Sequence, residues 1–151
     1  METMASGLNN PNIIHLNGHG VGTVNYNGNV NNNVNYMIFD NCPNRDLYEY
    51  ARLGRFAERL VKYIFKNMFL GIRALHEAGY CHSNLQLENI FLVQNYNPKI
   101  DDFVFTTQFL QNNQQIALND FVGTMRYCSP QFMIINHIMA KKLIYLVLEQ
   151  F

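Results

Sequence analysis

The apolar positions of this chain change their spacing along its length, and each spacing predicts a different element. Residues 13–16 (Ile13, Ile14, His15, Leu16) and 34–39 (Val34, Asn35, Tyr36, Met37, Ile38, Phe39) are two short apolar runs, with a Gly/Asn-rich stretch at 18–33 between them. Strand, polar connection, strand is the predicted pattern, with the two strands antiparallel. From Glu58 to Ala78 the period turns helical. Val61, Phe65, Met68, Ile72 and Leu75 recur at steps of four, three, four and three, which places them on one helix face. Arg59, Lys62, Lys66 and Arg73 fall on the other side, as a solvated face or a docking stripe for an acidic partner. Gly79 follows the last periodic residue, where a left-handed C-cap belongs. Two extended runs come next, residues 90–93 and 99–100, around the turn-forming Asn95-Tyr96-Asn97-Pro98. Residues 108–119 read as a long polar loop, and residues 131–151 as one or two helices of poor amphipathicity.

Composition narrows the class. A chain of 151 residues fits one domain, and 48% hydrophobic residues can supply a core. Charged residues reach only 15%, and asparagine (22 residues, densest from 9 to 44) takes their place. The first 44 residues hold two acids, Glu2 and Asp40, and neither Lys nor Arg. Over the whole chain 11 basic residues balance 11 acidic ones, so no net field draws in nucleic acid or an anionic membrane. Cys42, Cys81 and Cys128 have neither disulfide-framework nor zinc-ligand spacing. The N-terminus lacks the basic patch and apolar run of a signal peptide. Lys141 and Lys142 interrupt the apolar residues 132–151, leaving either side too short for a membrane span. A soluble cytoplasmic protein is expected. Gly18-His19-Gly20-Val21-Gly22 matches neither GxGxxG nor GxxxxGK[ST] and reads as a loop.

Four ordered stretches carry more information. Cys81-His82-Ser83-Asn84-Leu85-Gln86-Leu87-Glu88-Asn89 resembles the catalytic loop H-R-D-L-x-x-x-N of the eukaryotic protein kinase domain. Lys99-Ile100-Asp101-Asp102-Phe103-Val104 resembles the strand that leads into D-F-G. Gly123-Thr124-Met125-Arg126-Tyr127-Cys128-Ser129-Pro130-Gln131 resembles the segment ending in A-P-E. Upstream, residues 36–50 resemble the fifth strand, the hinge and the short helix after it. Gly-Thr-x-x-Tyr and Gly79-Tyr80-Cys81-His82 look most like Ser/Thr kinases of the calcium/calmodulin-dependent type.

The resemblance runs over about residues 11–131 and implies an α+β, kinase-like but incomplete fold. Its implied parts are a tail (1–10), remnant N-lobe strands and hinge (11–42), a partial helical C-lobe (43–131) and an atypical helical tail (132–151). No stretch resembles the glycine-rich lid, the strand bearing the phosphate-binding Lys or the helix bearing its Glu partner, which together orient the nucleotide in an active kinase.

Mapped onto this sequence, the family's catalytic positions are degenerate. The catalytic Asp position is Asn84, an acceptor without useful basicity near neutral pH. The Lys position two residues on is Gln86, which offers donors without charge, and the Arg position is Ser83. Two positions implied to bind Mg²⁺ alongside ATP phosphates survive, Asn89 and Asp102. The resemblance also implies that the backbone of Asp40 and Cys42 faces adenine, with Phe39 as gatekeeper and Phe91 as the pocket floor. Val104 replaces the mobile Gly. His82 is expected to be a packed histidine stacked with Phe103. Asn84 and Gln86 could equally be solvent-facing polar residues in an Asn- and Gln-rich chain.

Three functions follow from these residues. The first is a catalytically impaired pseudokinase acting by binding a protein partner, such as another kinase or signalling protein, with weak or no Mg²⁺ and ATP binding. The second is a Ser/Thr protein kinase transferring the ATP γ-phosphate to protein hydroxyls. The third is a kinase gene fragment without independent function, in which core-facing residues such as Phe69 lie exposed.

Overall fold

The structure, a computed structural model, describes residues 8–54, 56–112, 114–116, 123–124 and 127. Near the N-terminus, β1 (Leu16–Tyr26) and β2 (Asn29–Phe39) form an antiparallel hairpin, in register from Leu16↔Phe39 to Tyr26↔Asn29. Asn27 and Gly28 make the turn, with φ of 51° and 82°. Positive φ at both positions suits an Asn-Gly pair, and the turn's twist matches that of the strands it joins. The stretch at 18–33, expected to be a polar connection, is therefore mostly strand. The overlooked signal was Asn27-Gly28, flanked by Asn residues interleaved with valine. The ring of Tyr36 lies over two glycines of β1: a Cβ on Gly20 would sit 2.8 Å from its hydroxyl, and one on Gly22 would sit 3.2 Å from its ring. Of these two 11-residue strands only Leu16, at the root, is buried.

The main core lies below the hairpin. The short helix α1 (Leu47–Leu53) starts at Asp46, whose carboxylate accepts the Glu49 amide at 2.8 Å, satisfying one orphan donor of the first turn. The long helix α2 (Glu58–Glu77) appears where the periodicity placed it. Its buried stripe is Ile64, Met68, Gly71, Ile72 and Leu75. Val61 and Phe65, expected on the core face, are only half-buried. The stripe is rotated because the helix meets its neighbour at Gly71, where a Cβ would lie 2.9 Å from the Asn12 carbonyl oxygen. Gly79, at φ 83°, ends the helix as expected, its amide bonding the His76 carbonyl at 2.9 Å.

After β3 (Tyr80–Cys81), strands β4 (Ile90–Leu92) and β5 (Pro98–Ile100) pair antiparallel, with Ile13 bridging Ile100 on the far side of β5. Ile13, Ile90, Leu92 and Ile100 are each at most 1% exposed and join Ile64, Ile72 and Leu75 in one core. Asn12, 2% exposed, is satisfied by donating to the Pro98 carbonyl at 3.0 Å. Part of the expected loop at 108–119 is structured: β6 (Thr107–Gln108) pairs with β3, and β7 (Leu110–Gln111) pairs with β8 (Gln114–Gln115).

The arrangement is α+β. Phe69 lies 41% exposed on α2. Among the described residues no helix is long and apolar enough to cross a membrane. The helices expected at 131–151, and Cys128, lie outside the described residues.

Candidate functional site

Two short ladders place the loop that carries the candidate chemistry. The pairing of β3 with β6 fixes its start, and the 3₁₀ turn Leu87–Asn89 feeds its end into β4. Ladder geometry carries Asn89 opposite Asp101, whose amide donates to the Asn89 carbonyl at 2.9 Å. Asp102 follows at φ 62° and ψ 65°, a left-handed conformation that Asp tolerates better than most residues. Val104 sits outside that region, in the 3₁₀ turn Phe103–Phe105, and is 56% exposed.

Three expected site residues come together. Asp102 Oδ2 accepts from Asn84 Nδ2 at 2.9 Å and from Asn89 Nδ2 at 3.0 Å, while Asn89 Nδ2 also donates to the Asn84 carbonyl at 3.0 Å. Asn84 and Asn89 are 7% and 8% exposed, which overturns the solvent-facing reading of Asn84. The other end of Asn84 is committed too. Its Oδ1 accepts from the Thr124 amide at 3.1 Å and from the Thr124 hydroxyl at 2.9 Å. Gly123 makes that approach possible: it has φ +100°, and a Cβ there would run into the Ser83 carbonyl oxygen. Gln86 is half-buried and caps the 3₁₀ turn through its backbone, its carbonyl accepting the Asn89 amide at 3.1 Å.

His82 braces the same loop from inside. It is 5% exposed and packs against Phe103 as expected, with ring centroids 5.1 Å apart, but the rings are tilted by 58° and not stacked. The Asn84 amide can only donate to His82 Nδ1 (3.3 Å), so the ring proton belongs on Nε2, which donates to the Asp101 carbonyl at 2.8 Å. Burial holds the imidazole pKa below its ordinary value; the Asp101 carbonyl and the Asp102 charge oppose this without overcoming it. Burial likewise pushes the Asp101 carboxyl up, opposed by the Asp102 amide and reinforced by the Asp102 charge.

The residues expected around adenine form a second group. Phe91 faces away from the buried Ile90 and Leu92 and pairs across the ladder with Lys99. Lys99 Nζ reaches Asp40 Oδ2 at 2.8 Å and the Ile13 carbonyl at 3.2 Å. Burial alone would raise the Asp40 carboxyl. Hydrogen bonds from Lys99, Asn17 and the His15 amide, with the Lys99 charge, outweigh it and hold the pKa below the usual value. The Asp40 amide donates to the His15 carbonyl at 3.1 Å, closing the root of the hairpin. Cys42 packs against the core with its Sγ 3.7 Å from the Asp40 carbonyl oxygen. Burial, then the charges of Asp101 and Asp40, push its thiol pKa up, with Lys99 opposing. Phe39, the expected gatekeeper, is 37% exposed.

The sequence reading missed the Lys99–Asp40 pair and the fastening of Asn84 by Thr124. A signal existed for the first: Asp40 is the sole charged residue between Thr3 and Asn44. Nothing local announced the second, whose partners are 40 positions apart.

Comparisons with known proteins identify the family. The protein kinase domain family matches residues 2–144. Serine/threonine-protein kinase ppk16 of Schizosaccharomyces pombe is 36% identical over 97 residues, covering 64% of this chain and 14% of that protein. Serine/threonine-protein kinase kin-29 of Caenorhabditis elegans is 33% identical over 105 residues, 69% of this chain and 12% of that protein. The 3-phosphoinositide-dependent protein kinase B of Dictyostelium discoideum is 29% identical over 135 residues, 87% of this chain and 14% of that protein. The chain belongs to the protein kinase domain family. It spans 12–14% of the length of these curated relatives.

The family's use of Mg²⁺ and ATP can be set against the donors present. Among the described residues no three His, Cys, Asp or Glu side chains gather into a metal site by themselves. Asp102 and Asn89 each keep an Oδ1 that takes no part in the hydrogen bonds described above. One carboxylate plus one amide oxygen, completed by phosphates and water, is a donor set that Mg²⁺ accepts. These two residues would hold the ion, which when bound would neutralise phosphate charge.

Proposed function

We propose that this kinase-like chain is a catalytically impaired pseudokinase, acting inside the cell by binding a protein partner and holding Mg²⁺ and ATP weakly or not at all. The observation that carries the reading is the state of Asn84. A general base for a substrate hydroxyl needs a basic atom free to take a proton. Asn84 has no such atom: its nitrogen donates to Asp102 and its oxygen accepts twice from Thr124. Gln86 in the Lys position withdraws a positive charge from where the transferring phosphoryl would be. Asp102 Oδ2 is already served by two amide groups, which leaves a cation the Oδ1 side of the carboxylate alone.

A second reading is supported by the relatives, two of which carry the name serine/threonine-protein kinase: transfer of the ATP γ-phosphate to protein hydroxyls. The two readings separate on turnover. Purified chain is incubated with γ-labelled ATP, Mg²⁺ and a mixed protein substrate, beside an Asp102→Ala variant prepared identically. No transfer by either supports the pseudokinase. Transfer by the parent that Asp102→Ala abolishes would sink it, because a contaminating kinase would label both preparations.

A further inference from the structure

The chain contains two Asn-Gly pairs, Asn17-Gly18 and Asn27-Gly28. Such a pair is chemically frail, because a glycine without Cβ lets its backbone nitrogen approach the side-chain amide before it. Local sequence treats the two pairs alike; the fold does not. Asn17 sits at the hairpin root between Leu16 and Gly18, which pair with Phe39 and Ile38. Its Nδ2 donates to Asp40 Oδ1 at 3.2 Å, and that carboxylate is itself held by Lys99 and the His15 amide. Rotating the Asn17–Gly18 peptide would break the ladder beside Leu16, the buried residue of the two strands.

Asn27 and Gly28 form the turn itself, at φ 51° and 82°. Both are exposed, and Tyr26 beside them is 71% exposed. Among the described residues, nothing beyond its chain neighbours comes within 4 Å of a Cβ built on Gly28. The peptide between the two can therefore rotate out of the turn by giving up the Tyr26↔Asn29 pairing alone, at the far end of the hairpin from Leu16.

We propose that Asn27 is a site of self-modification, where the Gly28 backbone nitrogen displaces the side-chain amide. The Gly28 N–Cγ bond forms as the Cγ–Nδ2 bond breaks, and the Gly28 amide proton leaves with the departing ammonia. Water then adds to one carbonyl of the cyclic imide. Opening at Cγ leaves aspartate, and opening at the backbone carbonyl leaves isoaspartate. Neither step needs an oxidant or a reductant. Aspartate puts a carboxylate into residues 16–39, a stretch with no Asp, Glu, Lys or Arg. Isoaspartate routes the chain through the side-chain carbon and adds a backbone atom to a turn whose length sets the strand register. Tyr26 and Asn29 can then no longer face each other, and the hairpin opens from its tip.

The test ages the 151-residue chain in heavy-oxygen water at mildly alkaline pH, folded and in urea, so that acid formed during ageing carries the label. Cleavage after Arg45 releases one peptide holding both pairs. Electron-transfer fragmentation of that peptide locates each new acid and separates aspartate from isoaspartate. In the folded chain Asn27 should convert about tenfold or more faster than Asn17, the ratio of two local opening equilibria; in urea the two rates should converge. Asn17 converting as fast as Asn27 in the folded chain would overturn the proposal, as would an Asn27 that converts in urea alone. Hydrogen exchange reads the consequence. The isoaspartyl chain should lose protection next to Tyr26 and keep it in α2, whereas Asn27→Asp, which adds the charge without the extra atom, should keep both. An isoaspartyl chain with its hairpin tip still protected would overturn the register argument.

Discussion

Asn84 and Asp102 lie 18 residues apart in sequence and are joined by one hydrogen bond, Asn84 Nδ2 donating to Asp102 Oδ2 at 2.9 Å. The amide places a donor against a carboxylate that would otherwise need a cation or water. Loop 82–89 and the residues after β5 are thereby coupled without metal, and Thr124 is fastened to the other end of the same side chain.

Asn84→Asp inverts that contact. The new carboxylate still accepts from Thr124, but it sets oxygen against oxygen at Asp102. Buried polar groups robbed of a donor cost about 1–3 kcal/mol. The variant should melt below the parent in chelator at neutral pH and recover as Mg²⁺ is added. The parent, without nucleotide, should show little response to Mg²⁺. Differential scanning calorimetry checks both. A variant as stable as the parent in chelator would mean that the Asn84–Asp102 bond contributes nothing.

Gly123→Ala tests the fastening from the other side. With φ +100° and the Ser83 carbonyl oxygen in the way of a Cβ, alanine must displace the backbone that carries Thr124. The expected loss exceeds ~1 kcal/mol, the sign reversing from the usual gain of a Gly→Ala change. Hydrogen exchange should show the Thr124 amide losing protection. Thr124→Val, which removes the hydroxyl donor and keeps the amide, should have the smaller effect.

Lys99→Met removes the cation that ties the hairpin root to β5. The Lys99 and Asp40 side chains are 15% and 25% exposed, so the pair is worth more than a surface bridge and less than a buried one. A cost of about 1–2 kcal/mol is expected. It should appear locally: the Asp40 amide, which bonds the His15 carbonyl, should exchange faster while the α2 amides hardly change. A uniform rise across both would show that the bridge supports the whole fold.

How much of this was legible depended on range. Residues 58–78 declared α2 because 3.6-residue periodicity is written locally, yet Val61 and Phe65 were placed too deep. The face that wins is decided by Gly71 meeting Asn12, a contact no periodicity encodes. Asn89 and Asp102 could be named from the order of motifs, since a ladder between β4 and β5 brings any such pair together. The role of Asn84 could not. A buried amide bridging Asp102 and Thr124 has the same letter as the exposed asparagines of β2, and only its partners, 18 and 40 residues away, distinguish them. The hairpin was misread for the opposite reason: an Asn-rich composition suggested loop, while Asn27-Gly28 carried the turn.

The last expectation concerns pH. His82 is buried neutral, Nδ1 accepting from the Asn84 amide and Nε2 donating to the Asp101 carbonyl. Its folded pKa lies below the unfolded value because of burial. The stability this contributes is complete above about pH 6.5, the unfolded value, and is lost as pH falls through that value towards the folded pKa. The sign follows from linkage, since the unfolded chain binds the proton first. Protonation would also turn Nδ1 into a donor facing the Asn84 donor, so loop 82–89 should loosen. Asp40, with its pKa lowered, stabilises above about pH 3.8 and fails only in stronger acid; Asp101, with its pKa raised, changes in the opposite sense as pH rises from there. Between pH 7.5 and 5.5 the His82 contribution should fall, with a slope of at most ~1.4 kcal/mol per pH unit and with Asp101 acting against it. Urea unfolding at steps across that range should show the loss, and His82→Gln should flatten it. An unchanged slope in the variant would assign the pH dependence to another titrating group.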